Sequence, residues 1–202
     1  MSEAATHLAR ACPRMKALIQ RIGRPRIETD TQSPYESLMR AIAHQQLNGT
    51  AARTITGRLV ALHGGFPAPE QLLATEVAAL RGCGFSGGKV LALRDIAART
   101  LDGTVPTRRA AARLSDAALI ERLVSIRGVG RWTVEMLLMH TLGRPDIFPV
   151  DDFGVREGYR ILHELDAQPK PKALAVMAEI YAPFRSAAAW YCWRAVDEHK
   201  RK

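Results

Sequence analysis

Along most of this chain apolar residues recur every three or four positions, the spacing of a helix with one buried face. Valine and isoleucine never alternate with polar residues for long, and alanine, leucine and arginine dominate, so strands are not expected. The run from Ser33 to Gly64 shows the pattern and its punctuation. Ser33 reads as an N-cap, Pro34 suits the first helical position, and Glu36 completes a capping box. Leu38, Ile42 and Gln45 or Gln46 continue one face. "LNGT" breaks that helix, and Thr50 is expected to cap the next, which runs to His63 and stops at Gly64-Gly65. Two short helices follow in "FPAPEQLLA" and "TEVAALRGCG", the second ending at Gly82. Another enters through Gly87-Gly88. Ser115 caps a helix striped by Leu119, Leu123 and Ile126. "GRWTVEMLLMHTLG" is apolar nearly all round, so it reads as a buried central helix. "RPDIFPVDD" is a connector stiffened by two prolines, and two helical stretches complete the chain. Neither repeats nor low-complexity segments interrupt the pattern, and the closing "HKRK" reads as a solvated tail.

One junction in this pattern is unusually tight. In "SIRGVGRWTVEMLL" one helix ends near Ile126 and the next begins after Gly130. Gly128 and Gly130 allow positive φ and close approach of another backbone. The amides around Val129 to Trp132, at the start of the second helix, are then expected to face outward. Unpaired donors and partial positive charge at a helix start suit a phosphate. Such a helix–hairpin–helix holds nucleic-acid backbone without reading bases.

Charge favours that reading. The 202 residues carry 29 Lys and Arg against 20 Asp and Glu, a net +9. This is the electrostatic footprint of a nucleic-acid binder. Cysteines Cys12, Cys83 and Cys192 form no CxxC pair, which argues against an iron–sulfur cluster or a zinc site. Three widely spread thiols suggest a reducing compartment. The six histidines are scattered and read as structural or surface residues. No apolar run approaches the ~20 residues that span a bilayer, and "MSEAATHLARACPRMK" lacks the apolar stretch of a signal peptide. A soluble, cytoplasmic protein without membrane association is expected.

The connector ends in two adjacent carboxylates, Asp151 and Asp152. One can cap the helix that starts there. A second carboxylate on a basic, phosphate-binding surface is costly, and that cost hints at chemistry. A carboxylate can stabilise positive charge growing on a sugar as a base departs, or orient a water onto it.

Five stretches in order, "AIAHQQLNGTAA", "FSGGKVLALRDIA", "IRGVGRWT", "FPVDDFGVR" and "PFRSAAAWYCWR", cover the chain from about Tyr35 to Arg194. Together they resemble the helix–hairpin–helix superfamily of DNA glycosylases, and within it the bacterial inducible 3-methyladenine DNA glycosylases and their shorter relatives. The resemblance implies an all-α, two-lobed fold with a DNA-binding cleft between the lobes. One lobe would span residues 35–143 and contain the hairpin at about 115–141. The other would combine 1–34 with 144–202 and carry the catalytic aspartate. By resemblance Asp152 is catalytic and Asp151 structural, a candidate for the helix cap. Trp132, Met136 and Trp193 would line the base pocket. Leu47 would be the wedge that fills the space of the flipped base, and Gly128, Val129, Gly130 and Thr133 would hold DNA. Gln45 and Gln46 read as loop-bracing hydrogen bonders, and either Trp190 or Trp193 as a packing residue. The carbonyls of Val124, Ile126 and Val129 would hold a monovalent cation, Na⁺ or K⁺; no organic cofactor is implied.

The chain departs from its relatives in three places. Strand-cutting relatives, similar to endonuclease III, carry a Schiff-base lysine where this chain has Trp132. A glycosylase without lyase activity follows, acting on alkylated purines such as 3-methyladenine and 7-methylguanine in duplex DNA. Met136 stands where the larger family member has a tyrosine, and the extra N-terminal mixed domain of that protein has no room here. Nothing in the sequence calls for more than a monomer. A non-catalytic hairpin DNA binder is the alternative. A helical scaffold for protein partners fits the charge and "GVG" less well.

Overall fold

The computed structural model describes residues 2–201; the first residue of "MSEAATHLARACPRMK" and the last of "HKRK" lie outside it. All regular structure among the described residues is helical, and no helix is long and apolar enough to cross a membrane. The chain divides into two compact units, Asp30–Leu137 and Met1–Thr29 with Leu138–Lys202.

The second of these contains α1 (Glu3–Ala11), α2 (Pro13–Ile22), α11 (Phe153–His163), α12 (Pro171–Met177) and α13 (Arg185–His199), numbered in chain order. Its core is built from Leu8, Met15, Leu18, Val155, Tyr181, Tyr191 and Cys192. Helices α11 and α13 make the closest pairing. Gly154 and Gly158 lie one turn apart on the same face of α11. A Cβ on Gly158 would stand 1.9 Å from the Cys192 carbonyl oxygen, so only glycine fits. The connector before α11 is tied to the start of α13. Arg185 and Asp146 form a two-pronged ion pair, both contacts at 2.8 Å, which holds the Asp146 carboxyl below the usual carboxylate range. Buried Ser186 donates Oγ–H to the Arg144 carbonyl and accepts the Ile147 amide.

The unit Asp30–Leu137 contains α3 (Pro34–His44), α4 (Gly49–His63), α5 (Pro69–Ala74), α6 (Val77–Gly82), α7 (Gly87–Leu101), α8 (Arg108–Ala111), α9 (Asp116–Leu123) and α10 (Arg131–Met136). Leu38, Ile42, Leu59, Leu72, Leu93, Ile96, Leu119 and Leu123 fill its core. Ser33 caps α3, Ser86 caps α7 and Ser115 caps α9. One cap and one capping box differ from expectation. Asn48, not Thr50, caps α4 by accepting the Ala51 amide at 2.9 Å, because α4 starts two residues earlier than a Thr50 cap would place it, at Gly49. Glu36 pairs with Arg40 one turn on, at 2.7 Å. The expected central helix also changes form. It is α-helical only through Met136, and Leu137–Thr141 widens into a π-helix, a form concentrated at functional sites. Nor is it buried all round, since Trp132 is 46% exposed.

Candidate nucleic-acid interface and active site

The hairpin is a turn held from several directions. The Val129 amide donates to the Ile126 carbonyl at 3.1 Å, so it is not one of the outward donors expected there. The Arg127 amide donates to Asp95 at 2.7 Å, and Gln45 Nε2 donates to the Gly128 carbonyl at 2.9 Å, the bracing role expected of it. Ile126 and Val129 bury their side chains beneath the turn.

Its two glycines have different causes. Gly128 has φ of +77°, and a Cβ there would meet Ala92 at 3.1 Å and Ile42 at 3.3 Å. Gly130 is extended, with φ of −90°, and a Cβ there would meet nothing within 4 Å. Only Gly128 therefore uses the left-handed region. No internal packing requires Gly130, yet it stands at the start of α10, where backbone amides lack acceptors within the helix. The space over Gly130, at the start of α10, is therefore open.

Beside the hairpin lies an open, mostly apolar pocket of about 440 Å³ lined by Ala41, His44, Gln45, Gln46, Trp132, Thr133 and Met136. Trp132 and Met136 come together here as expected, one turn apart on α10. Thr133 is buried and forms part of the wall. Leu47 follows Gln46, a non-glycine residue at φ of +57°, and is 42% exposed. The break after α3 thus presents an apolar side chain to solvent.

The aspartate site is built within the other unit. Asp152, not Asp151, is the N-cap of α11: its Oδ1 accepts the Val155 amide at 2.8 Å. Asp151 is exposed. The cap expected of Asp151 therefore falls on Asp152. Trp193, on α13, donates its indole N–H to the same Oδ1 at 2.9 Å. Gly154 makes this possible, since a Cβ there would lie 2.8 Å from Trp193 Cδ1. Trp193 is thus a hydrogen-bond partner of the carboxylate as well as an aromatic face. Trp190 is the packing residue of the pair, set edge-on against Tyr191 with Arg194 over its ring. The sequence reading missed Gly154, Gly158 and His140, which stacks on Trp193. The four-residue spacing of the glycines was the one available signal.

Among the described residues no group of three His, Cys, Asp or Glu side chains could hold a metal. The hairpin carbonyls of Val124, Ile126 and Val129 are neutral oxygens in a turn, and each has two lone pairs. That of Ile126 already accepts the Val129 amide with one of them. Such donors suit a hard monovalent ion rather than a transition metal.

The family model that describes HhH-GPD superfamily base excision DNA repair proteins matches residues 39–183. DNA-3-methyladenine glycosylase 1 of Schizosaccharomyces pombe is 43% identical over 198 residues, 96% of this chain and 87% of that protein. The structure of the S. pombe 3-methyladenine DNA glycosylase in complex with abasic DNA superposes with a TM-score of 0.84, at 44% identity and 96% coverage of both chains. A DNA-3-methyladenine glycosidase from Bacillus halodurans reaches a TM-score of 0.92 at 30% identity, over 100% of this chain and 92% of the other. The resemblance drawn from the hairpin and the aspartate pair is borne out, and the chain belongs to the HhH-GPD superfamily of base excision DNA repair proteins.

Proposed function

We infer that this chain is a DNA glycosylase that hydrolyses the N-glycosidic bond of alkylated purines in duplex DNA and leaves the strand uncut. The observation that carries the reading is Asp152: on a chain of net charge +9, one carboxylate is fixed by two donors at the start of a helix. The relatives' names agree with it.

The damaged nucleotide leaves the stack at a cost of a few kcal/mol, least for damaged bases. Leu47 fills the gap. The amides at Gly130 and the start of α10 hold a phosphate, and the carbonyls of Val124, Ile126 and Val129 would hold a monovalent cation, whose positive charge would favour the phosphate beside it. A purine alkylated at N3 or N7 carries positive charge. The electron-rich face of Trp132 attracts it, with Met136 shaping the pocket beside it. The base departs with the glycosidic electron pair as a neutral purine. Asp152 stabilises the cationic sugar, and water adds to C1′, releasing a proton and leaving an abasic site. Trp132 has no amine to form a Schiff base, so the strand is not cleaved by β-elimination. The protein acts as a monomer on DNA.

The test is incubation with duplexes bearing 3-methyladenine, 7-methylguanine, hypoxanthine or uracil, with each released base measured. Asp152→Asn keeps a residue that can cap α11, so it should retain DNA affinity within about threefold while excision falls by at least about a hundredfold. Excision that survives this substitution would overturn the assignment. Borohydride should trap no covalent protein–DNA adduct; efficient trapping would reveal lyase chemistry. A pure hairpin DNA binder would release no base with either form of residue 152.

A further inference from the structure

The π-helix Leu137–Thr141 places His140 against the aspartate site. Its ring stacks on Trp193 with centroids 6.2 Å apart and planes 25° from parallel. Its Nδ1 lies 3.3 Å from the Glu28 carbonyl. A carbonyl only accepts, so Nδ1 bears the proton, and this bond sets the imidazole plane. Trp193 in turn donates to Asp152 Oδ1 at 2.9 Å. Main chain, imidazole, indole and carboxylate thus form one connected series.

A partly buried indole has two torsions and would hold its N–H direction poorly without support. Gly154 clears the space the indole occupies. His140 supplies a flat face beside it, at the offset spacing that favours aromatic pairs. We propose that His140 is a positioning residue for Asp152 that acts through Trp193. The imidazole fixes the indole plane, and the indole N–H fixes where the carboxylate points. A sub-ångström change in a group that faces a developing cation is costly, so the effect falls on the chemical step rather than on DNA binding.

The proposal rests on the glycosylase reading, and two measurements separate their failures. The first is single-turnover release of methylated purines from methylated duplex DNA. His140→Ala should slow it about tenfold while affinity for abasic-site duplex stays within about twofold. His140→Phe, which keeps a flat ring, should recover to within about threefold of the parent. Joining His140→Ala to Trp193→Phe should slow release no further than Trp193→Phe alone, because the histidine acts through the indole. Wild-type speed in His140→Ala, failure of phenylalanine to rescue, or additive losses in the double variant would each overturn the proposal.

The second measurement needs no activity. With Trp132 and Trp190 replaced by phenylalanine, the one remaining indole N–H is that of Trp193. Its NMR resonance should move in Asp152→Asn, move in His140→Ala, and stay near the parent position in His140→Phe. If no methylated base is released by the parent protein, the glycosylase reading fails, and this resonance still decides the role of His140. A resonance indifferent to His140→Ala overturns it.

Discussion

The carboxylate of Asp152 and the indole of Trp132 sit in opposite kinds of surroundings. Asp152 is fixed by an amide and an indole N–H, and the helix carrying it is locked to α13 at Gly158 with no room for a methyl group. Trp132 stands 46% exposed at the wall of an open pocket, beside Gly130, over which space is empty. The first region is closed against itself and resists change. The second is left unfilled by its own chain, as the proposed reception of a base and a phosphate requires. The Asp152 site and the Trp132 pocket thus draw on opposite packing. Glycine serves both, by permitting contact in one place and withholding it in the other.

Substitutions that exchange these conditions test the comparison. The largest effect is expected at Gly158→Ala. The added methyl meets main chain rather than a flexible side chain, so α11 and α13 must separate at a cost of about 3 kcal/mol. Thermal unfolding should occur about 10 °C lower, and base release should fall with it. Gly130→Ala is the contrast: stability should change by less than about 0.5 kcal/mol, while affinity for duplex DNA weakens about tenfold as the methyl enters the phosphate's space. If both glycines behave alike, the distinction fails. Trp132→Ala comes next. It should raise KM for methylated purines about tenfold by removing the cation-attracting face, with little change in melting temperature.

The smallest effect concerns the anchor behind Asp152. The Arg185 guanidinium holds the Asp146 carboxyl low in the folded chain. A depressed carboxylate stabilises above its unfolded pKa, and the benefit disappears as pH falls through the folded value. Asp146→Asn should therefore cost about 1 kcal/mol at pH 7, discounted for partial exposure. The gap from the parent should narrow as pH drops below about 4. A gap independent of pH in denaturant titrations would remove charge from the explanation.

Much of this was legible in the residues themselves. Serine caps, terminal glycines and a period near 3.6 act within a few positions of the chain, so they mark helices wherever they occur. That is why Ser33 and Ser115 cap where local rules place them. The family was legible too, since the hairpin and the aspartate pair are contiguous motifs. Local rules failed where two residues competed for one role. Asn48 and Thr50 are both plausible caps, as are Asp151 and Asp152, and the helix start that selects between them depends on packing. The π-helix escaped because its sequence is ordinary.

By itself, the sequence determined an all-helical chain, a basic charge, a glycine hairpin and the absence of a lysine at position 132. These are properties of composition and near neighbours. Tertiary structure alone decided that Asp152 both caps α11 and meets Trp193, that Gly158 admits α13, and that His140 stacks on that tryptophan. The contacts of Asp152 with Trp193, of Gly158 with α13 and of His140 with Trp193 join residues dozens of positions apart, and they exist only once packing has chosen which faces meet.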